Sequence, residues 1–398
     1  MLRHFKDLPR ATPRDRGQPD LHYLRALQRL GPLVVDKYGL LMCFSHDDFQ
    51  FCITTPETRQ IETDILRLMG VTSGPAFEFV SNSLLFSNGD LHKSRRAPMA
   101  RTFAWSLMEA LRSEIRGVAM SIVEPLKGKG VDFVAQISGP LPAHVIARII
   151  GAPEADIPKF TRLVYSASRA ISYQSPDIAA EATRDMGALA TYVEGLLDDR
   201  RAIPRDDFLT DFVAQTGGMD LSAAEIRSQI MTLILAGSDT TRLSLAMAVV
   251  QLLQEPGAWD TFRADPDGLK GLVVSEALRL EPPVGAMARI FTDDVERHDT
   301  LIPAGTIVSA SFLTAQRDPE VYDQPDSFRP GRQDMPRHHP VFGAGPHRCL
   351  GEALARAELE EALVVLAELC PDLRLDGPAP VPRGLGAVRS IGAMPVVM

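Results

Sequence analysis

The sequence has little cysteine: only Cys43, Cys52, Cys349 and Cys370 occur among 398 residues. So few and such scattered cysteines exclude a disulfide framework and are typical of a reducing compartment, so we expect a cytoplasmic protein. No C-x-x-C pair occurs, and structural zinc sites are usually built from two close pairs of ligands. A cysteine that acts as a ligand in this chain is therefore expected to act alone.

Long hydrophobic runs and positive charge are also scarce. Residues 1–7 lack the apolar segment of a signal peptide, and no apolar run approaches the length of a membrane span, so we expect no membrane anchor. A formal net charge of −9 argues against nucleic acid as a partner. With 45% hydrophobic and 23% charged residues, the chain has the composition of an ordinary globular protein.

The pattern along the chain predicts a mainly α protein with a small β-rich portion drawn from both ends. Residues 1–20 are polar and rich in proline, and we expect them to form a loosely held arm. Helical periodicity dominates from about 89 to 265, and short β segments follow Pro283. A last helix is expected over about 350–369, and a short β tail over 389–397. No linker divides the chain, so residues 1–398 are expected to form a single domain.

The most informative segment is FGAGPHRCLG, residues 342–351, which places one cysteine in a glycine-punctuated loop just before a helix. Glycines allow positive φ and a close approach of backbone N–H groups to the sulfur, and a helix N-terminus favours negative charge. The loop is thus suited to hold a thiolate. Two alternatives remain open on the loop alone: Cys349 as a small buried hydrophobe, or a zinc site shared with His338, His339 and His347.

A second motif, AGSDTT at residues 236–241, lies inside a long helical stretch. Glycine inside a helix costs on the order of 1 kcal/mol relative to alanine, and a threonine hydroxyl competes for the i−4 carbonyl and opens a groove. Asp239 and Thr240 place an acid beside a hydroxyl. The alternative interpretation is a helix bend with a solvated aspartate.

The third motif places Glu276 and Arg279 on one helix face, just before Pro282 and Pro283 end the helix. An exposed pair of this kind contributes a few tenths of a kcal/mol and has no significance by itself. Arginines farther along the chain could complete a buried structural cluster, and Arg332 is the candidate third member.

The fourth motif begins a helix at about residue 89. His92 and Arg96 are four residues apart, so both point the same way and could clamp an anion. The alternative is a solvated basic face, which we prefer for Lys93 and Arg95.

These four motifs, in this order, resemble those of cytochromes P450, and the resemblance covers nearly the whole chain. It implies the P450 fold, a triangular helical prism around one haem b. It also implies a haem-thiolate monooxygenase that uses O₂ and two electrons to hydroxylate or epoxidise an apolar small molecule. Peroxide-driven oxidation, oxidative coupling and a non-catalytic haem-binding protein are the alternatives.

The resemblance also implies how the cofactor is held. Cys349 would be the proximal iron ligand, whose electron density favours O–O cleavage; Phe342 would pack near the haem, and Gly351 completes the loop. The haem propionates would be held by four basic side chains, those of His92, Arg96, Arg289 and His347.

On the opposite face of the haem, Ala236 and Gly237 would leave room for O₂, and Asp239 and Thr240 would deliver protons. Apolar or small residues would line the substrate pocket: residues 77–85, 163–172, 285–287 and 388–391, with Thr232, Leu235 and Ala236. Gly285 and Ala286 suggest room close to the iron. Arg169 or Arg389 could anchor a substrate carboxylate, although a surface arginine is the preferred interpretation of each.

Electrons are expected from a separate ferredoxin and ferredoxin reductase, because no such domain is fused, and the enzyme is expected to be a monomer. Six basic residues flank the proposed docking side and could steer an acidic partner: Lys93, Arg95, Arg101, Arg337, Arg348 and Arg356. One position departs from the family, since Ser327 stands where many relatives have an arginine.

Overall fold

The computed structural model describes residues 2–398 except 16, 104, 172–175 and 387. Its α-helices are, in chain order, α1 (Asp20–Gln28), α2 (His46–Thr54), α3 (Asp64–Leu68), α4 (Pro75–Asn82), α5 (Gly89–Thr102), α6 (Trp105–Ala110), α7 (Arg112–Val123), α8 (Pro140–Ile149), α9 (Ile157–Ala167), α10 (Pro176–Ala202), α11 (Phe208–Thr216), α12 (Ala223–Gln254), α13 (Ala258–Ala264), α14 (Pro266–Leu280), α15 (Phe312–Ala315) and α16 (Glu352–Leu369). The mainly helical prediction is therefore confirmed.

The strands form small sheets that join distant parts of the chain. They are β1 (Arg3–His4), β2 (Leu33–Val35), β3 (Leu41–Cys43), β4 (Thr58–Arg59), β5 (Gly130–Asp132), β6 (Ala286–Phe291), β7 (Val295–Arg297), β8 (Thr300–Ile302), β9 (Ile307–Ser311), β10 (Arg374–Leu375) and β11 (Pro395–Val397). The five-stranded sheet has the order β2-β3-β9-β6-β4, and two further sheets have the orders β1-β8-β7 and β10-β11-β5. The β-rich portion thus combines both ends of the chain, as predicted.

Helix α12 is the central element of the helical part. It begins with a capping box in which Ser222 Oγ accepts from the Glu225 N–H and the Glu225 carboxylate accepts from the Ser222 N–H. It contacts α8, α10, α14 and α16, and residues from these helices share one large apolar cluster. Among the described helices, α12 alone has the length and apolarity of a membrane span, but 78% of its most apolar window is buried inside the protein. It is a core helix.

The N-terminal arm is held more firmly than expected. Strand β1 pairs in parallel with β8, and the Ala11 N–H donates to the Val35 carbonyl at 2.9 Å. Leu8 is buried, and the Tyr23 hydroxyl donates to the Thr12 carbonyl at 2.9 Å. Backbone pairing explains the difference, because it depends on the edge of a distant strand and not on the polarity of the arm.

The last two elements are shorter than their patterns suggest. Helix α16 starts at Glu352, since Gly351 is its N-cap residue. Of the expected β tail from residue 389, only Pro395–Val397 is a strand; Val388 and Ser390 form isolated bridges with Val284 and Arg383.

Candidate active site

The loop before α16 is folded tightly around the cysteine. Gly343 and Gly345 have φ values of +69° and +61°, a region that favours glycine, so the expected use of positive φ is confirmed. The Cys349 N–H donates to the Phe342 carbonyl at 2.8 Å and closes the loop. The buried Phe342 ring supports it from below, with the Arg356 guanidinium 5.0 Å from the ring centroid.

The Cys349 side chain is exposed and is not part of a disulfide. It is accessible to solvent, yet enough protein surrounds it that desolvation raises the pKa of its thiol. A backbone hydrogen bond from Gly351 opposes that effect and lowers the pKa. Cys349 is therefore not the packed, inaccessible hydrophobe of the first alternative, and its side chain is accessible to a ligand.

Four basic side chains from three segments meet beside this loop. His92 of α5 and His347 have ring centroids 3.9 Å apart. Burial, reinforced by Arg96, lowers the pKa of His92 to about 4. Burial, reinforced by His92, Arg289 and Arg96, lowers the pKa of His347 to about 3. His347 thus lies close enough to His92, Arg96 and Arg289 for all three to oppose its protonation.

No carboxylate among the described residues pairs with this cluster. Arg289 Nη1 donates to Gln60 Oε1 and to the Ala288 carbonyl, both at 2.9 Å, and burial lowers the pKa of Arg289 to about 10. Arg96 Nη2 donates to the Arg348 carbonyl at 2.6 Å. Across the part of the chain that the structure describes, neither guanidinium has a carboxylate partner, and His92 Nε2 is buried without a hydrogen-bond partner. Buried cations of this kind are suited to a ligand that carries carboxylates.

The structure does not support the alternative of a zinc site. His339 Nδ1 accepts from the Val341 N–H at 3.2 Å, and its Nε2 lies 2.9 Å from the Ser275 carbonyl, so both ring nitrogens are used. Within the described ranges, no three His, Cys, Asp or Glu side chains are placed to hold a metal ion.

Helix α12 carries the second motif without a break. The Thr240 hydroxyl donates to the Ala236 carbonyl at 2.7 Å, as the predicted competition for the i−4 carbonyl requires. A side chain on Gly237 would lie 3.1 Å from Ile146 Cδ1 of α8. The close approach of two helices is therefore one reason for glycine at this position.

Asp239 is buried and paired, not solvated. Its Oδ1 lies 2.5 Å from Arg242 Nη2, so the two side chains form an ion pair. The Arg242 guanidinium lies 4.3 Å from the centroid of the Tyr165 ring, and the Tyr165 hydroxyl donates to the Gly139 carbonyl at 2.6 Å. Sequence reasoning missed Arg242, although its i+3 spacing from Asp239 was a usable signal; Tyr165 and Gln60 had none.

The Glu276 cluster is completed by the predicted residue. Arg279 donates to both Glu276 oxygens at 2.8 Å, and Arg332 Nε donates to Oε2 at 3.0 Å. The three side chains are at most 2% exposed. At the departing position, the Ser327 carbonyl accepts from Arg279 at 3.1 Å, so its backbone contributes.

Two expectations about the pocket are wrong. The space beside Gly285 is filled, because a Cβ atom there would lie 2.5 Å from the Gly384 carbonyl oxygen. Arg389 is 4% exposed and donates to Glu281 at 2.8 Å, so the preferred interpretation as a surface arginine is wrong, and the side chain is not free to anchor a substrate carboxylate either. Arg169 is partly exposed and lies 3.9 Å from Glu181. Ser172, at the end of one proposed lining segment, lies outside the described residues.

The basic docking surface is smaller than expected. Arg95 is 4% exposed and pairs with Glu225 at 2.8 Å, so the preference for a solvated side chain is wrong for Arg95 and right for the exposed Lys93. Arg348 and Arg356 both pair with Glu352. Arg101 and Arg337 remain exposed.

Comparison with known proteins agrees with this geometry. A family model described as Cytochrome P450 matches residues 271–368. The chain is 37% identical to cytochrome P450-pinF1, plant-inducible, of Rhizobium radiobacter over 96% of this chain and 91% of that protein. It is 30% identical to erythromycin C-12 hydroxylase of Saccharopolyspora erythraea over 88% of each.

Solved structures give the same result. The crystal structure of CalO2 superimposes with a TM-score of 0.85 at 28% identity, covering 95% of this chain and 94% of that one. That of P450BioI, in complex with a fatty-acyl carrier protein, also has a TM-score of 0.85, at 25% identity, covering 95% and 98%. The chain therefore belongs to the cytochrome P450 family and is a haem-binding monooxygenase.

Proposed function

We propose that this protein, as a single domain over residues 1–398, uses O₂ and electrons from a separate redox partner to hydroxylate or epoxidise an apolar small molecule. One observation carries the proposal: the exposed Cys349 lies beside Arg96, which belongs to a basic cluster that has no carboxylate partner among the described residues. A porphyrin that binds iron through sulfur and carries two carboxylates fits both features.

Different residues would bind the iron and the propionates of haem b. Cys349 would ligate the iron, with Phe342 packed beneath the loop and Gly351 donating its N–H toward the sulfur. The orphaned Nε2 of His92 and the guanidinium groups of Arg96 and Arg289 would bind the propionates, with His347 beside them. When bound, haem supplies the redox-active iron at which O₂ is reduced and one oxygen atom is transferred.

Two side chains of α12 would manage protons. The Thr240 hydroxyl donates its hydrogen to the Ala236 carbonyl, so its lone pairs are free to accept a hydrogen bond from a water molecule or an incoming proton donor. Asp239 is the neighbouring acid, and Arg242 fixes its carboxylate. Ala236 and Gly237, one turn earlier, would form the wall of the O₂ site.

The substrate is proposed to be apolar because the segments assigned to the pocket bury apolar side chains. Phe79, Val80, Leu163 and Leu235 are at most 4% exposed, and all of them except Leu163 belong to the main apolar cluster. Named relatives include a hydroxylase of methyl-branched lipids and a hydroxylase of erythromycin, two large and mainly apolar classes of molecule.

The electron donor is proposed to be an acidic ferredoxin served by a ferredoxin reductase in the cytoplasm, with the P450 as a monomer. Arg101 and Arg337, exposed on α5 and ahead of the cysteine loop, supply the positive charge for docking.

The carbonyl complex of the reduced haem protein tests the central claim. We expect the strongly red-shifted Soret band of a thiolate-ligated haem, and its loss in Cys349→His with haem still bound. Turnover with ¹⁸O₂ then separates oxygen insertion from oxidative coupling: label in the product supports a monooxygenase reaction, and unlabelled oxidised product contradicts it.

A further inference from the structure

A turn near the C-terminus includes part of a segment that we assign to the substrate pocket. Arg383 and Ser390 exchange backbone hydrogen bonds of 2.8 and 2.7 Å, and we call residues 383–386 and 388–390 the 383–390 turn, since residue 387 lies outside the described residues. The turn meets the segment that leads into β6, since the Ala286 N–H donates to the Gly386 carbonyl at 2.8 Å. Residues 285–287 and 388–391 both belong to the proposed lining, so the position of this turn sets the position of that lining.

The turn and this segment are packed so closely that no side chain fits between them at Gly285. A Cβ atom on Gly285 would lie 2.5 Å from the Gly384 carbonyl oxygen and 2.8 Å from the Leu385 carbonyl carbon. Gly384 itself has φ +138°, and a side chain there would lie 3.2 Å from Arg389 Cα. Because backbone packs directly on backbone, a shift of the turn must move residues 285 and 286 with it.

On its other side the turn is held by one buried carboxylate from the N-terminal part of the chain. Asp20, the first residue of α1, is 2% exposed. Its Oδ2 accepts from the Gly384 N–H at 2.8 Å and lies 3.9 Å from Arg389 Nε. Its Oδ1 accepts from Arg14 Nη2 at 2.6 Å. Asp20 therefore joins the arm to the turn.

A second contact supports the same attachment from the surface. Arg383 donates to the Gly17 and Gln18 carbonyls at 3.2 and 3.3 Å. Leu385 packs on the apolar cluster that contains Tyr23 and other α1 residues. The turn is thus fixed by α1 and the arm outside, and by the segment before β6 inside.

We infer that Asp20 is a positioning residue that sets the shape of the substrate pocket from outside it, by holding the 383–390 turn against residues 285 and 286. This inference rests on the proposed function, because it assigns those residues to the pocket. A buried carboxylate with three cationic or N–H partners has a defined position, and its loss leaves Arg14 and Arg389 without an anionic partner on that side.

Two azole ligands of different size test the inference on the haem-loaded protein. Imidazole reaches the iron and little else, whereas 4-phenylimidazole also extends to the pocket wall; both are followed by the Soret shift. We expect Asp20→Ala to weaken 4-phenylimidazole at least fivefold and to change the Kd of imidazole less than twofold. A general loss of stability would weaken both ligands alike or neither.

Asp48→Ala is the matched control. Asp48 is also 2% exposed and pairs with Arg297 and His298 instead of the turn. We expect it to lower the melting temperature without changing the preference between the azoles. If Asp48→Ala shifts the Kd ratio of the two azoles as much as Asp20→Ala does, the positioning role is overturned.

Arg383→Ala provides an independent variant that creates no buried charge, since Arg383 is exposed. We expect a two- to threefold weakening of 4-phenylimidazole alone, and this variant decides the question if Asp20→Ala does not fold. If both variants fold, an unchanged ratio of the two affinities in both of them overturns the inference. If Asp20→Ala does not fold, an unchanged ratio in Arg383→Ala overturns it. A wild-type protein that lacks the red-shifted carbonyl band would instead overturn the proposed function, on which this inference depends.

Discussion

Arg242 Nη2 lies 2.5 Å from Asp239 Oδ1, so the proposed acid of the proton relay is held by a cation one turn along the same helix. Only 9% of the Asp239 side chain and 22% of the Arg242 side chain are exposed. The carboxylate therefore has a fixed orientation, unlike the solvated aspartate that a bend in α12 would have produced.

Proton delivery is the first prediction. Asp239→Asn keeps the shape of the side chain but removes its ionisable carboxyl, so we expect product formation to fall about 10²-fold, at the low end for a positioned acid. The reduced carbonyl spectrum should not change. Arg242→Met should reduce product formation by a smaller factor, because the carboxyl remains. The measurements are the rate of product formation and the product formed per electron consumed. Equal rates of product formation in Asp239→Asn and wild type would contradict the role.

The Glu276 cluster is the second prediction. Glu276→Ala leaves the buried guanidinium groups of Arg279 and Arg332 without their shared carboxylate, and removing one partner of a buried ion pair costs about 3–5 kcal/mol. We expect little folded, haem-containing protein. The control is Arg329→Ala, whose 43% exposed side chain pairs with an exposed Asp323 and should contribute at most about 1 kcal/mol. Chemical denaturation of both variants measures the difference.

Acid stability is the third prediction. Burial lowers the pKa of His339 to about 3 from the usual 6.5. Between these values the unfolded chain binds a proton that the folded chain excludes, so the free energy of unfolding falls as the pH falls through this window. In His339→Gln the pH dependence should be shallower by up to one proton.

The exposed neighbour His338 supplies the control for this measurement. We expect denaturant unfolding of His338→Gln at several pH values to follow the wild-type slope. If the free energy of unfolding of His339→Gln also depends on pH as in the wild type, the His339 imidazole does not control the stability at acid pH.

Backbone packing near the pocket is the fourth prediction. Gly285→Ala places a Cβ atom 2.5 Å from the Gly384 carbonyl oxygen, and overpacking of this kind costs about 1–3 kcal/mol. Gly386→Ala, two residues farther along the same turn, meets nothing within 4 Å and should be tolerated. Thermal unfolding compares the two variants; equal melting temperatures would contradict the close approach.

Docking of the electron donor is the fifth prediction. We expect Arg101→Glu combined with Arg337→Glu to slow reduction by an acidic ferredoxin several-fold and to weaken its dependence on salt. Arg101→Lys and Arg337→Lys keep the charge and should reduce at the wild-type rate. Stopped-flow reduction at several ionic strengths measures both effects, and an unchanged rate in the doubly reversed variant would exclude this surface.

Features that depend only on the spacing of residues within one segment could be predicted from the sequence. The loop around Cys349, the i, i+4 pair His92 and Arg96, and the hydroxyl contact of Thr240 each follow from local geometry. Arg332 was proposed with the help of the family resemblance, because several other arginines also lie between Glu276 and Cys349. These features need no knowledge of the tertiary structure.

Features that depend on contacts between distant segments could not be predicted in this way. Arg95 has the sequence context of an exposed residue, and only the approach of Glu225, 130 positions later, buries it. Gly285 suggests open space until the 383–390 turn fills it. Gln60 has no signal in the sequence, since its role comes from Arg289, 229 positions away.

The parallel pairing of β3 with β9 has a consequence for biosynthesis. Cys43 pairs with Ala310, so one edge of the early hairpin lacks its permanent neighbour until most of the polypeptide has left the ribosome. At typical translation speeds of about 5–20 residues per second, that wait lasts on the order of ten to fifty seconds. During this interval the nascent hairpin presents an unpaired edge of Leu41, Met42 and Cys43, a natural target for chaperones that shield β edges.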